Sequence, residues 1–509
     1  MGTTPCEDSF TKRLIRFDPA YRTMRRSSTE SDGLPRRQLL VLGAATAGGL
    51  AGCLGSDDTG PSDGTPTGDA GSDPTETDEG SATPTDTASG GSDSDGSTDS
   101  DGDDPADGNG EGSHGDGGDS IDTDLPITGE AVPELQVFDE LMVQFMTDLD
   151  ISTGALSVAH EGDVIFQRGY GWGDRERTMP VDPDAFFRIG SISKLFTMDA
   201  ILRLVDDGDL ALADRVYPLL DVEPSGGELA DERIRDVTVE HLLSHAGGWD
   251  RSRHANPLYN PLVVTETLEL DGPPAKEDIV RYMLDQPLQF EPGTDSVYSN
   301  FGYVLLGMVI ESVTGRSYQE HLEATLFDPT GIGGIELGRT RPENRHPDEI
   351  WYEDDERCPN VFEGDDERSY ECASHGIVLQ TFDAAGGHIA RSHALVRAVA
   401  ELDWLWTGGE ARRSPEVIRF AGSHPGSFAY TERRGEVTVG VMVNTRDIPL
   451  GPYLDIQRRV DDAIADVEEW PCPRRMQAPT QKQEAPPSTS EGRVAPSAVG
   501  WGSSLAAVS

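Results

Sequence analysis

The chain has 509 residues, with 92 Asp or Glu against 41 Lys or Arg, a formal net charge of −51 at pH 7 and 36% apolar residues. Nucleic acid and anionic membrane surfaces repel so acidic a chain, which argues against both as partners. Only four lysines occur (Lys12, Lys194, Lys276, Lys482) against 37 arginines, a bias that fits life in concentrated salt, where screening cuts like-charge repulsion to a few Å.

In chain order, the first region is an address. Arg36 and Arg37 precede QLLVLGAATAGGLAGC, an apolar stretch too short to span a bilayer and ending in small residues. Twin arginines read as a Tat-type export signal. Leu50-Ala51-Gly52-Cys53 resembles a lipobox, with Cys53 the lipidated first residue of the mature protein. Met24 offers an alternative start. Residues 1–53 are therefore taken as extension and signal, and the expected location is outside the cytoplasm, lipid-anchored to the membrane or secreted. One acyl chain anchors only marginally, so stable attachment requires a second.

Residues 54–124 form the next segment. Within 56–122 there are 20 Asp or Glu, no Lys or Arg, and no apolar residue larger than alanine before Ile121. Such a stretch has too little apolar surface to offset its chain entropy and reads as a disordered acidic linker. The polar, proline-rich residues 472–509 read the same way.

Residues 125–471 carry the folded region. GALSVAH (154–160) and DVIFQRGY (163–170), joined by Glu-Gly-Asp, predict a hairpin. A helix is predicted from about Ser191 to Asp207, stopped by Gly208. The middle reads as mostly helical or loop-like. Near the end VIRFAGS (417–423), SFAYTER (427–433) and EVTVGVMVN (436–444) predict three strands, followed by an amphipathic helix at about 454–468. Two strands from the start and three from the end assemble into a five-stranded antiparallel sheet flanked by helices, an α+β fold with a mostly helical insertion. In an exported protein Cys358 and Cys372 are the candidate disulfide.

Two constellations carry chemistry. In FRIGSISKLFT (187–197) Ser191 and Lys194 share a helical face, so the amine reaches the hydroxyl. S-x-x-K is a weak pattern alone, but apolar neighbours on nearly every face bury this lysine, and a buried lysine needs a partner or a task. An amine held out of water favours its neutral, proton-accepting form. In EPGTDSVYSNFGYVLLG (291–307) Tyr298 and Asn300 stand at a helix entrance, as a proton relay and an amide donor or as a packing tyrosine and a cap.

Together with TVEHLLSHAGG (238–248), these segments resemble the serine β-lactamase and penicillin-recognising family, in particular its class C-like branch of peptidases and esterases, over about residues 130–465. The resemblance implies a β-lactamase/DD-peptidase-like fold with Ser191 as nucleophile, Lys194 as general base or proton shuttle, Tyr298 as second proton carrier and Asn300 as a substrate-positioning group. The family's third element is a strand with Lys or His, a small residue and Gly, then a Pro-Gly turn. Here the sequence is RFAGSHPGSF. One register puts Phe420-Ala421-Gly422 at the triplet, with Ser423 next and phenylalanine in place of the cation. The other uses His424-Pro425-Gly426, which sets a proline inside a ladder strand.

Three patterns are set aside. Gly60-Pro61-Ser62-Asp63-Gly64 matches a nucleophile elbow but has no strand before it; His241 and His245 have i, i+4 spacing, yet Leu242 stands where a zincin needs glutamate; the acidic tract reads as solvated linker rather than a cation site. No metal or cofactor is expected. The expected function is an acyl-enzyme serine hydrolase acting on a small-molecule or peptide amide or ester, with a catalytically impaired binding lipoprotein on the same fold as the alternative.

Overall fold

The apolar period-two runs at the two ends of the folded region pair with one another. The computed structural model describes residues 123–471 apart from 254–255 and 447–449. Cys53 and the segments read above as export signal, acidic linker and C-terminal tail lie outside the described residues. In chain order the strands are β1 (Ile127–Thr128), β2 (Thr153–His160), β3 (Asp163–Gly171), β4 (Phe186–Arg188), β5 (Ile335–Leu337), β6 (Arg357–Asn360), β7 (Asp365–Glu371), β8 (His388–Arg391), β9 (Trp404–Thr407), β10 (Glu410–Arg413), β11 (Val417–His424), β12 (Ser427–Arg434) and β13 (Val437–Val443).

The main sheet is antiparallel in the order β1-β3-β2-β13-β12-β11. It has six strands rather than the five expected, because β1 adds a two-residue edge beside β3. A two-residue strand shows no alternation, so no pattern betrays it. β2 and β13 pair from Gly154↔Val443 to His160↔Val437, which closes the sheet between the chain's extremities. Three short pairings also interrupt the middle that was expected to be helical or loop-like: β4-β8-β5, β6-β7 and β9-β10.

Both faces of the sheet are covered, which explains why β2, β12 and β13 are buried along nearly their whole length. On one face Leu156, Val158, Phe166, Val439 and Val441 meet Phe138, Met142, Ile456 and Val460. The helices supplying these residues are α1 (Gln136–Asp148) and, near the C-terminus, Leu450–Asp466. On the other face Ala155, Ala429 and Met442 join the larger core of the helical body.

Two helices of that body build the site. α2 (Ser193–Asp207) follows a single 3-10 turn, Gly190–Ile192, and stops at Gly208, whose φ of 82° is left-handed. The short α3 (Val239–Leu243) precedes α4 (Pro261–Thr267), α5 (Lys276–Leu284) and α6 (Asn300–Thr314). The Ser299 hydroxyl caps α6 by accepting from Gly302 N. Cys358 of β6 is bonded to Cys372, with Cα atoms 5.0 Å apart.

Candidate active site

Ser191 lies in the 3-10 turn before α2 and is 7% exposed, while Lys194 in the first turn of α2 is fully buried. The packing of Ile192, Leu195 and Phe196, all 0% exposed, accounts for that burial. Three acceptors stand around the Lys194 amine: Ser191 Oγ at 3.2 Å, Asn300 Oδ1 at 2.7 Å, and the Ala385 carbonyl. Two aromatic rings cover it, with centroids 4.9 Å (Tyr298) and 5.4 Å (Tyr303) from Nζ. The Tyr298 hydroxyl donates to Ser191 Oγ at 2.7 Å. The serine hydroxyl thus sits between an amine and a phenol, and Asn300 orients the amine.

Two glycines let β11 touch the turn that carries Ser191. A Cβ on Gly422 would lie 2.0 Å from the Ile189 carbonyl oxygen and 2.5 Å from Ser191 N; one on Gly190, at φ 50°, would lie 2.5 Å from Ser423 N. The backbone N–H groups of Ser191 and Ser423 flank this contact.

β11 runs through His424, and Pro425-Gly426 forms a two-residue turn closed by the pair His424↔Ser427, with Gly426 at φ 71°. Pro425 is therefore in the turn and not in the ladder. Phe420, Gly422 and His424 alternate onto one face. Phe420 is half-buried against the helical core. His424 does not join the polar cluster: its Nε2 lies 2.9 Å from the Gly386 carbonyl and its Nδ1 3.4 Å from Tyr259 Oη.

His245 and His241 do not face each other as a pair. His241 closes a capping box with Thr238 at the start of α3. His245 has a positive φ of 56°, packs at a tilt against Tyr298 at 4.6 Å and Tyr303 at 5.1 Å, and accepts from Ser299 N at 3.3 Å. It buttresses the face of the tyrosine that meets Ser191. The only hint of this in the sequence was the resemblance of TVEHLLSHAGG to the family's segment; the helical spacing with His241, set aside as a metal pair, carried no information. Burial, with the nearby Lys194 and Arg251 charges, pushes the His245 ring down to about 3. Burial does the same to His388 and His424.

A ring kept neutral in the fold but free to protonate when unfolded costs stability as pH falls below about 6.5, at about 1.4 kcal/mol per pH unit until its folded value is reached. His245→Gln is therefore expected to flatten the acid side of the stability profile. Melting temperatures of variant and wild type from pH 6.5 to 4 measure it, and parallel curves would show that the ring already protonates in the folded protein.

Serine acyl-transferring folds of the β-lactamase and DD-peptidase kind are built this way, on a sheet closed by both chain ends with the serine–lysine helix packed across it. Sequence comparison agrees: the chain belongs to the Beta-lactamase family, whose profile matches residues 138–455. It is 28% identical over 205 residues to penicillin-binding protein 4* of Bacillus subtilis (strain 168), covering 38% of each chain. It is 32% identical over 190 residues to esterase EstB of Burkholderia gladioli, covering 36% of this chain and 47% of that one. The alignments thus span less than half the length of either relative. Among solved structures, the D-amino acid amidase of Ochrobactrum anthropi SV3 superposes with a TM-score of 0.49 at 19% identity, covering 66% of this chain and all of the amidase.

Proposed function

We propose that this chain is a serine hydrolase that cleaves an ester or amide through an acyl-enzyme, with Ser191 as nucleophile. The observation that carries this is the Ser191 hydroxyl held between the Lys194 amine and the Tyr298 phenol. A neutral amine has two N–H donors and one lone pair. In that form, with its donors on Asn300 and Ala385, the amine stands 3.2 Å from Ser191 Oγ, within reach of the serine proton. In the first step Ser191 Oγ bonds to the substrate carbonyl carbon as its proton passes to Lys194. The N–H groups of Ser191 and Ser423 stabilise the developing oxyanion. The bond to the alcohol or amine then breaks, and the leaving atom takes a proton from Tyr298, which Lys194 replaces with the one it received from Ser191. In the second step water adds to the acyl carbon, gives a proton back to Ser191 Oγ, and releases the acid.

Phe420 narrows the substrate. It stands two residues before Gly422 on the same face of β11, where the class C-like resemblance expects a cation for a substrate carboxylate. A neutral ester or amide suits that surface better than a penicillin or a D-Ala-D-Ala terminus. The same residue supports a second reading, a binding protein that has lost turnover. Both are tested by exposing the full chain, in molar salt, to a fluorophosphonate, a fluorescent penicillin and p-nitrophenyl esters, and mapping any adduct. Fluorophosphonate labelling at Ser191 with ester turnover is the expected result. A folded protein that binds these probes without an adduct would establish the binding reading.

The location belongs to the same proposal: a halophilic, Tat-exported lipoprotein held at the outer side of the membrane through Cys53. The twin arginines and LAGC support it, and so does the Cys358–Cys372 disulfide, which suits an oxidising compartment. Cys53→Ser is expected to move the protein from the membrane pellet to the soluble fraction; unchanged sedimentation would rule the anchor out.

A further inference from the structure

Of four lysines, the two among the described residues, Lys194 and Lys276, are joined through one short turn. Lys276 opens α5, with its ammonium 2.7 Å from Asp383 Oδ2 and 2.8 Å from Glu311 Oε2. The Asp383 side chain is buried, and its other oxygen accepts from Ala384 N at 2.6 Å. Asp383 begins the single helical turn Asp383–Gly386, which Gly387 N closes on the Asp383 carbonyl at 3.0 Å. Gly307 of α6 lets this turn lie close, since a Cβ there would be 2.7 Å from Ala384 Cβ.

The three carbonyls that follow Asp383 each meet a side chain of an element that builds the active site. Ala384 O accepts from Thr197 Oγ1 of α2 at 2.7 Å, Ala385 O accepts from Lys194 Nζ, and Gly386 O lies 2.9 Å from His424 Nε2 at the end of β11. One turn of backbone therefore touches the serine–lysine helix, the lysine amine and the strand beside the nucleophile. Its charged handle is the ion pair with Lys276. Removing one member of such a buried pair strands the other charge, which moves to find water.

We propose that Lys276 and Asp383 are positioning residues: their ion pair fixes the Asp383–Gly386 turn so that the Ala385 carbonyl holds the Lys194 amine against Ser191. This rests on the acyl-enzyme reading above. Neither residue touches Ser191, so they act through the turn that Asp383 begins. Proton transfer to Lys194 requires near-contact geometry, and a displacement of about 1 Å can cost about 100-fold in rate.

The test follows fluorophosphonate labelling of the full chain in molar salt between pH 5 and 10, with circular dichroism and melting temperature on every sample. Wild type and Lys276→Arg, which keeps the charge, are expected to label within about threefold of each other. Lys276→Met is expected to label at least about tenfold more slowly, with the midpoint of its pH profile displaced. The double variant Lys276→Met/Asp383→Asn removes both charges of the buried pair and leaves without its cation only the partly exposed Glu311 carboxylate, so it keeps the fold if the single variant does not. It too is expected to be slow, because the handle is gone. Wild-type rates and an unshifted profile in a folded Lys276→Met or double variant would overturn the proposal. A wild type that gives no Ser191 adduct sinks the acyl-enzyme reading itself, an outcome seen before any lysine variant is compared.

Discussion

Ser191→Ala is expected to leave a folded protein with no covalent adduct and a kcat/KM lower by about 10⁴-fold or more, and Lys194→Met is expected to cost about as much. In the proposed acyl-enzyme reaction the two side chains act as one unit. Without the amine, the hydroxyl has no buried acceptor for its proton, and without the hydroxyl the amine has no nucleophile to activate. The double variant is therefore expected to be no worse than either single one, since each change already removes the whole step. Ester hydrolysis in molar salt measures it. Additive losses, or a Lys194→Met enzyme within about tenfold of wild type, would mean that another group takes the serine proton. The fold should tolerate both changes. Ser191 sits in a turn rather than the sheet, and methionine keeps most of the lysine's length in a pocket already walled by Tyr298 and Tyr303.

The second large effect is expected from Gly422→Ala. The added carbon has no room: at 2.0 Å from the Ile189 carbonyl oxygen and 2.5 Å from Ser191 N, it meets backbone on both sides and no flexible side chain that can yield. β11 must move away from the turn that carries Ser191, and the N–H of Ser423 moves with it. Losing one oxyanion donor costs about 10²- to 10³-fold in kcat, and overpacking costs about 1–3 kcal/mol of stability. The expected result is a folded but less stable enzyme with a low kcat. Its fluorophosphonate labelling should fall in parallel, since the phosphoryl oxygen uses the same donors. An unchanged kcat with a lowered melting temperature would remove the Ser423 N–H from the mechanism.

How far these features could be read from sequence depended on their length and on whether side chains carried them. β2, β3, β11, β12 and β13 each run seven residues or more and are rich in β-branched, aromatic and other apolar residues, so the sequence marked them. β1, β4, β5 and β9 are two to four residues long, and no period fits in them. Ser191 and Lys194 stood out because a buried lysine in so lysine-poor a chain is conspicuous. The Ala385 carbonyl could not, because a backbone acceptor has no letter of its own: any residue at 385 presents the same oxygen. Lys276 and Asp383 are far apart in sequence, and only the path of the chain reveals that they meet. His245 was visible as a residue, but its function depends on the ring it leans against, Tyr298, which lies in another segment.

The pairing of β2 with β13 also has a consequence for synthesis. β2 lies between β3 and β13, so the N-terminal hairpin leaves the ribosome with one long apolar edge unpaired, and it stays so until Val437–Val443 has been made. Everything between, including Ser191, Lys194 and Tyr298, is translated before the sheet they pack on can close. Assembly is thus deferred to the last strand, as long sequence separation between partners dictates. A chain halted before β13 offers an open strand edge of the kind that templates aggregation, so the interval between translating β2 and β13 is when this protein most needs a chaperone.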